Sequence, residues 1–104
     1  MESNLPNALA DLVRRAQRGE EDAQHELIVS YQHRVAGFIY AMTSRSDYVE
    51  DLAQQVFIKM IRALDRLQAP AQFESWLFRL ARNTCIDQLR RQKLRRIFLP
   101  FGEE

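Results

Sequence analysis

Cysteine, glycine and proline are scarce in this chain, with one Cys, three Gly and three Pro among 104 residues. A single thiol, Cys85, cannot close an internal disulfide, which excludes a stapled secreted domain. No run alternates apolar and polar residues over strand length, so nothing points to a sheet. No apolar run approaches the length needed to span a bilayer. The opening MESNLPNALADL has neither the basic nor the apolar region of a signal peptide. Missing as well are a Gly-rich phosphate loop, an HExxH pair and a GxSxG elbow. His25 and His33 stand eight apart with no Cys or carboxylate cluster at metal-ligand spacing. The chain reads as soluble and cytoplasmic, without membrane insertion, without enzyme activity and without a cofactor or metal.

What is present is one globular domain. Apolar types make up 46% and charged types 28%, ordinary usage for a chain that can bury a single core. The net charge of +1 conceals a segregation. Residues 1–50 hold five basic and eight acidic side chains, whereas 51–104 hold ten and six. Within 73–96 the ratio is seven to two. Such a basic stretch points to an anionic partner, nucleic acid foremost.

All periodicity in the chain is helical. Leu9, Leu12, Val13 and Ala16 mark a short first helix, which Gly19 is placed to end. Glu20, Glu21 and Asp22 open a second, with acids at the positive end of its dipole. Its stripe is Leu27, Tyr31, Val35, Phe38 and Met42, with Ile28 and Ile39 beside it. Gly37 inside that stripe costs about 1 kcal/mol relative to Ala, and a close helix approach would explain it. After the turn 43–46, Ser46 or Asp47 caps a third helix running to Leu67. Residues 68–72 interrupt, and a fourth helix runs from Phe73 into 91–96. The expected fold is all-α, a compact bundle of three main helices plus a short N-terminal one. The domain should span 1–96, with 97–104 beginning a linker.

Projected at about 100° per residue, the third helix has two sides. Val49, Leu52, Ala53, Val56, Met60, Ala63, Leu64 and Leu67 form the core side. Opposite them lie Asp51, Gln54, Ile58, Ile61 and Asp65. Two isoleucines between amides and acids either meet a partner or pack under a neighbouring loop. On the fourth helix, Phe73, Leu77, Leu80, Ala81, Thr84 and Cys85 face inward, with Cys85 an inert buried thiol. Trp76, Arg79, Asn83, Ile86 and Arg90 face the other way, with Arg82 adjacent. Arg grips phosphate, Asn reads a base edge and Trp offers a stacking plane. The alternative is a solvated basic helix with Trp76 tucked against the core.

These residues also carry a resemblance. Asp51-Leu52-Ala53-Gln54-Gln55-Val56-Phe57, then Arg62-Ala63-Leu64-Asp65-Arg66-Leu67, resembles the core-binding helix of bacterial RNA polymerase sigma factors. Phe73-Glu74-Ser75-Trp76-Leu77-Phe78-Arg79-Leu80-Ala81-Arg82-Asn83, running into Ile86-Asp87-Gln88-Leu89-Arg90-Arg91, is similar to their promoter-melting and −10-recognition helix. The short connecting loop is similar to that of the extracytoplasmic-function (ECF) group. The resemblance covers roughly residues 8–96, with both motifs in order and spacing.

It implies that Asp51, Gln54, Gln55, Phe57 and Ile61, with Ile58 between them, dock on the clamp helices of the polymerase largest subunit. It further implies contact with the −10 non-template strand by Trp76, Arg79, Asn83 and Ile86, and base capture by the loop 68–72. With the flanking basic residues, the implied DNA-binding set is Arg62, Arg66, Gln68, Gln72, Trp76, Arg79, Arg82, Asn83, Ile86, Arg90 and Arg91. An anti-sigma factor is a further implied partner. Gln55 stands where Glu is usual, which replaces a charged contact by a neutral one. Arg79 and Leu80 stand where housekeeping relatives are more aromatic, which implies weaker melting and stricter promoter choice. The group carries a second, −35-reading domain that nothing after Phe101 supplies, so a domain fragment is expected. The function implied is core-polymerase binding with −10 recognition and melting. The alternative is a free-standing helical DNA-binding or anti-sigma-binding module of the same fold.

Overall fold

The computed structural model describes residues 4–99, and the side chains of 8–99. Four helices follow one another: α1 (Asn4–Gln17), α2 (Glu21–Thr43), α3 (Ser46–Ala63) and α4 (Phe73–Phe98). Short 3₁₀ turns, Leu64–Arg66 and Pro70–Gln72, occupy the α3–α4 connection. No strand occurs among the described residues, and the all-α expectation holds.

The first junction is set by glycine. Gly19 sits at φ +90°, a region closed to most side chains, and donates its N–H to Ala16 O at 3.0 Å. Glu20 donates to Arg15 O at 3.2 Å, which completes a paired C-terminal motif. At the second junction Ser44 takes the left-handed conformation, φ 56°, and its N–H caps Tyr40 O at 2.8 Å.

Three local expectations need correction. The N-cap of α3 is Arg45, not Ser46 or Asp47, and no side chain caps the helix. The Asp47 carboxylate is already held by the Arg45 guanidinium, at 3.0 and 2.7 Å. Helix α3 ends at Ala63 rather than Leu67, tightening into the 3₁₀ turn. There the Gln17 amide donates to Leu64 O (2.9 Å) and Leu67 O (2.8 Å), satisfying carbonyls that the α-helical ladder leaves open. At Gly37 a built Cβ meets nothing within 4 Å, so no helix among the described residues approaches it closely.

The core is a ridge on α2, Ala23, Leu27, Tyr31, Val35 and Ile39, spaced by four residues throughout. Val13 and Ala16 of α1, Leu52, Val56 and Met60 of α3, and Phe73, Leu77, Ala81 and Cys85 of α4 close on it. Phe38 and Met42, expected in the stripe, are only partly buried at its flank. Phe73 is fully buried, edge-on to Tyr31 with centroids 5.5 Å apart. Each large apolar side chain buried in this way contributes about 1.5–3 kcal/mol. Helix α4 stays helical through Phe98, two residues past the expected domain end at 96. Residues 100–104 of that linker lie outside the described residues.

Candidate functional site

The first candidate surface is an open groove of about 810 Å³ between α2 and α3. From α3 it takes Val49, Glu50, Ala53, Gln54, Phe57, Ile58, Ile61 and Arg62, and from α2 Ile28, Gln32, His33 and Ala36. Ile58 is 50% exposed, a large apolar side chain in water. Ile61 is half-buried, and Phe57 is a core residue whose edge floors the groove. The predicted docking set is therefore split. Gln54, Phe57, Ile58 and Ile61 line the groove, whereas Asp51 and Gln55 lie off it, with the Gln55 amide donating to Asp51 at 2.9 Å. Arg62, assigned by resemblance to DNA, stands in the groove wall four residues after Ile58. The α2 wall was not foreseen. Ile28 beside the core stripe was its single signal, because periodicity orients one helix but does not say which neighbour it meets.

The second surface is the outer side of α4. Arg79, Arg82, Asn83 and Arg90 are exposed, and Ile86 is half-buried among them. Arg90 is loosely paired with Asp87 at 3.8 Å, and Arg91 donates to Gln88 at 3.4 Å. Among the described residues no carboxylate lies within ion-pair distance of Arg79 or Arg82. Trp76 combines features of both earlier readings. Its ring is tilted 44° against Phe73 at 5.9 Å, yet the residue remains partly exposed. Trp76 and Arg90, fourteen residues apart on one helix, stand about 21 Å apart along the axis.

At the N-terminal end of this helix the loop forms a small cleft of about 360 Å³, lined by Ala71, Gln72, Glu74, Ser75 and Phe78. Gln68 and Gln72 are exposed, as is Arg66 in the 3₁₀ turn. Glu74 anchors the cleft to α2: Tyr31 Oη donates to it at 2.8 Å and Arg34 at 3.1 and 3.3 Å. Arg34 also lies 5.1 Å from the Tyr31 ring centroid and 5.4 Å from that of Phe78. The Arg34 guanidinium, then the Tyr31 hydroxyl, hold the Glu74 carboxyl below its usual range. Burial, reinforced by Glu74, pushes the Tyr31 phenol up to about 12. Sequence reading missed this latch because its two halves lie 40 residues apart.

The remaining chemistry-bearing residues are quiet. Cys85 is buried and its thiol is pushed up by desolvation. His25 and His33 are exposed, and no group of three metal-ligating side chains occurs among the described residues. No helix among them is long and apolar enough to cross a membrane.

An apolar groove on one helix pair and a basic, tryptophan-bearing helix beside it define an all-helical domain with two separate candidate contact surfaces. Residues 27–95 match the family model described as Sigma-70 region 2, and the chain belongs to that family. It is 41% identical over 78 residues to the ECF RNA polymerase sigma-E factor of Escherichia coli, and 38% identical over 78 residues to the RNA polymerase sigma-H factor of Pseudomonas aeruginosa. Both alignments cover 75% of this chain and 40% of the relative, so the chain spans about 40% of the length of these relatives. Its fold is similar to that of an engineered region 2 of sigmaE, solved by NMR in complex with GTAAAA. The TM-score is 0.76 at 40% identity, covering 84% of this chain and 90% of that one.

Proposed function

We propose that this chain is the promoter-recognition domain of an ECF-type sigma factor. The α2–α3 groove docks on the clamp helices of core RNA polymerase, and the outer face of α4 with the loop 68–72 engages the melted non-template strand of the −10 element. The observation that carries this reading is the pairing of the two surfaces on one bundle, within the chain that matches Sigma-70 region 2 over residues 27–95. The related sigmaE domain solved with GTAAAA supports a single strand as ligand of the second surface. The role asks the domain to bind and hold rather than to catalyse, and it is carried out in the cytoplasm with the polymerase.

Ile58, Ile61 and the edge of Phe57 supply the apolar centre of the groove, with Gln54 and Arg62 as its polar rim. Asp51 and Gln55, bonded to each other, contribute from outside the groove. A helical segment of an anti-sigma factor fits the same groove, using apolar anchors at helical spacing, and would exclude the polymerase while bound. On the DNA side, Trp76 stacks on a base while Arg79, Arg82 and Arg90 hold phosphates and Asn83 reads an edge. Arg66, Gln68 and Gln72 attend the loop, and Ile86 packs beneath the strand.

The test uses core enzyme and a promoter. Permanganate footprinting reads strand opening, and a pull-down reads docking. Ile61→Glu should abolish both, whereas Trp76→Ala should leave docking intact and reduce opening. Normal opening by Trp76→Ala, or docking by Ile61→Glu at the wild-type level, overturns the corresponding assignment.

A further inference from the structure

The distal end of α4 runs clear of the core. Cys85 is its last buried residue, and every residue from Lys93 to Leu99 is exposed. Phe98 stands about 20 Å along the axis from Cys85. Leu94, Ile97 and Phe98 are 47%, 57% and 73% exposed, three large apolar side chains within little more than one turn. The core cluster includes none of them, and neither candidate surface described above uses them. Around the axis Ile97 lies about 60° to one side of Leu94 and Phe98 about 40° to the other, so the three form a single stripe. Lys93 and Arg95 flank that stripe, each about 100° from Leu94. Arg90 and Arg91 stand one turn earlier on the same side. Among the described residues no carboxylate lies within ion-pair distance of Lys93 or Arg95. From Gln88 to Phe101 the sequence contains no acidic residue at all.

We propose that this end of α4 docks on the surface of an anionic lipid bilayer. Leu94, Ile97 and Phe98 enter the headgroup layer, and the flanking Lys93 and Arg95 meet the lipid phosphates. The choice of partner follows from the two halves of the patch together. A nucleic-acid backbone would satisfy the cations and leave the apolar stripe in water. A second copy of the chain would cover the stripe and set the same cations against one another. A bilayer surface satisfies both halves: apolar side chains sink to the acyl boundary, while Lys and Arg lay their alkyl stems along the stripe and keep their charges at phosphate level. Each cation near such a surface is attracted by the negative potential of its lipids, and the apolar anchors add the second signal that a stable peripheral contact requires. The helix lies on the membrane rather than through it, since no helix among the described residues is long and apolar enough to cross one. The proposal stands independently of the strand-binding role given above to Trp76, Arg79 and Asn83.

The test is flotation of the full chain with vesicles of phosphatidylglycerol and phosphatidylcholine in equal parts, against vesicles of phosphatidylcholine alone. Wild type should partition about tenfold or more strongly into the anionic vesicles. Ile97→Ser combined with Phe98→Ser should lower that partitioning about tenfold, and Lys93→Gln with Arg95→Gln about fivefold per charge removed. These side chains are exposed, and circular dichroism should find the fold unchanged in both variants. A Phe98→Trp reporter in a Trp76→Phe background should shift its emission to the blue on anionic vesicles and be quenched by lipids brominated along the acyl chain. Absence of partitioning into anionic vesicles, equal partitioning into neutral ones, or a double Ser variant that floats like wild type overturns the proposal. A reporter that stays unquenched overturns it too, because the stripe would then not enter the lipid. Sedimentation showing a dimer that Phe98→Ser dissociates would assign the stripe to a second copy instead. Loss of −10 single-strand affinity in the double Ser variant would assign it to DNA, and either result also overturns the bilayer reading.

Discussion

The α2–α3 groove and the outer face of α4 are built on opposite plans. The groove is apolar at its centre, with Ile58 half in water and Phe57 shared with the core. Its walls come from two helices already locked by a common ridge of buried residues. The α4 face is polar and one helix wide, and Trp76 ties it to the interior. A surface of the first kind gains affinity by removing apolar area from water and tolerates salt. One of the second kind acts through phosphate charge and weakens as salt rises. The difference predicts that the two surfaces can be disabled independently, provided the core between them survives.

The most drastic way to break that independence is through Phe73, fully buried and touching both Tyr31 and Trp76. Phe73→Ala should cost about 3–5 kcal/mol in urea denaturation and disable both surfaces at once. Next in size, Ile58→Glu should weaken docking on a clamp-helix fragment by about 2 kcal/mol or more, as a truncated interface centre does. Stability should stay within about 0.5 kcal/mol of wild type, since the side chain is a surface one. Equal loss of strand binding in this variant would show that the surfaces are coupled. Trp76→Ala should cost about 1–3 kcal/mol in single-strand affinity and nothing in docking.

Two glycines sharpen the comparison within the scaffold. Gly19→Ala should destabilise by about 1 kcal/mol because φ +90° is strained for Ala. Gly37→Ala, in open space at an ordinary helical φ, should stabilise the free chain by about 0.5–1 kcal/mol, and calorimetry reads both. The smallest effect concerns the latch. Glu74 is held below its ordinary range, so its contribution is present above about pH 4.5 and fades as the pH falls. Tyr31 is raised, so its contribution is present below pH 10 and is lost as the pH rises towards 12. The Arg34–Glu74 pair is half exposed, so Glu74→Gln should cost less than about 1 kcal/mol. It should also flatten the acid limb of the stability curve.

How much of this was legible in sequence depends on whether one helix or two decide the matter. The arcs of α3 and α4 were readable because a period of 3.6 residues sorts each helix alone, and Ile58, Leu77 and Cys85 lie where projection puts them. Phe57 lies between the arcs, and its place in both core and groove needs the position of α2. The α2 wall and the Arg34–Glu74 latch are contacts between elements distant in sequence. Capping failed for a different reason. Asp47 suits an N-cap by type, but a stronger partner next door, the Arg45 guanidinium, claims its carboxylate.

One side chain bears on how the loop recognises anything. Gln17, near the end of α1, spans 47 and 50 residues of sequence to hold Leu64 O and Leu67 O with its amide. The segment leading into 68–72 is thus fixed at its root before any ligand arrives, and its conformational entropy is surrendered during folding rather than at the moment of binding. Helix α1 packs against the 3₁₀ turn Pro70–Gln72 and holds the root of the loop through one amide, so it governs how rigidly the loop is presented. A shortened amide there would leave the fold standing and make the loop slower to find its bound shape.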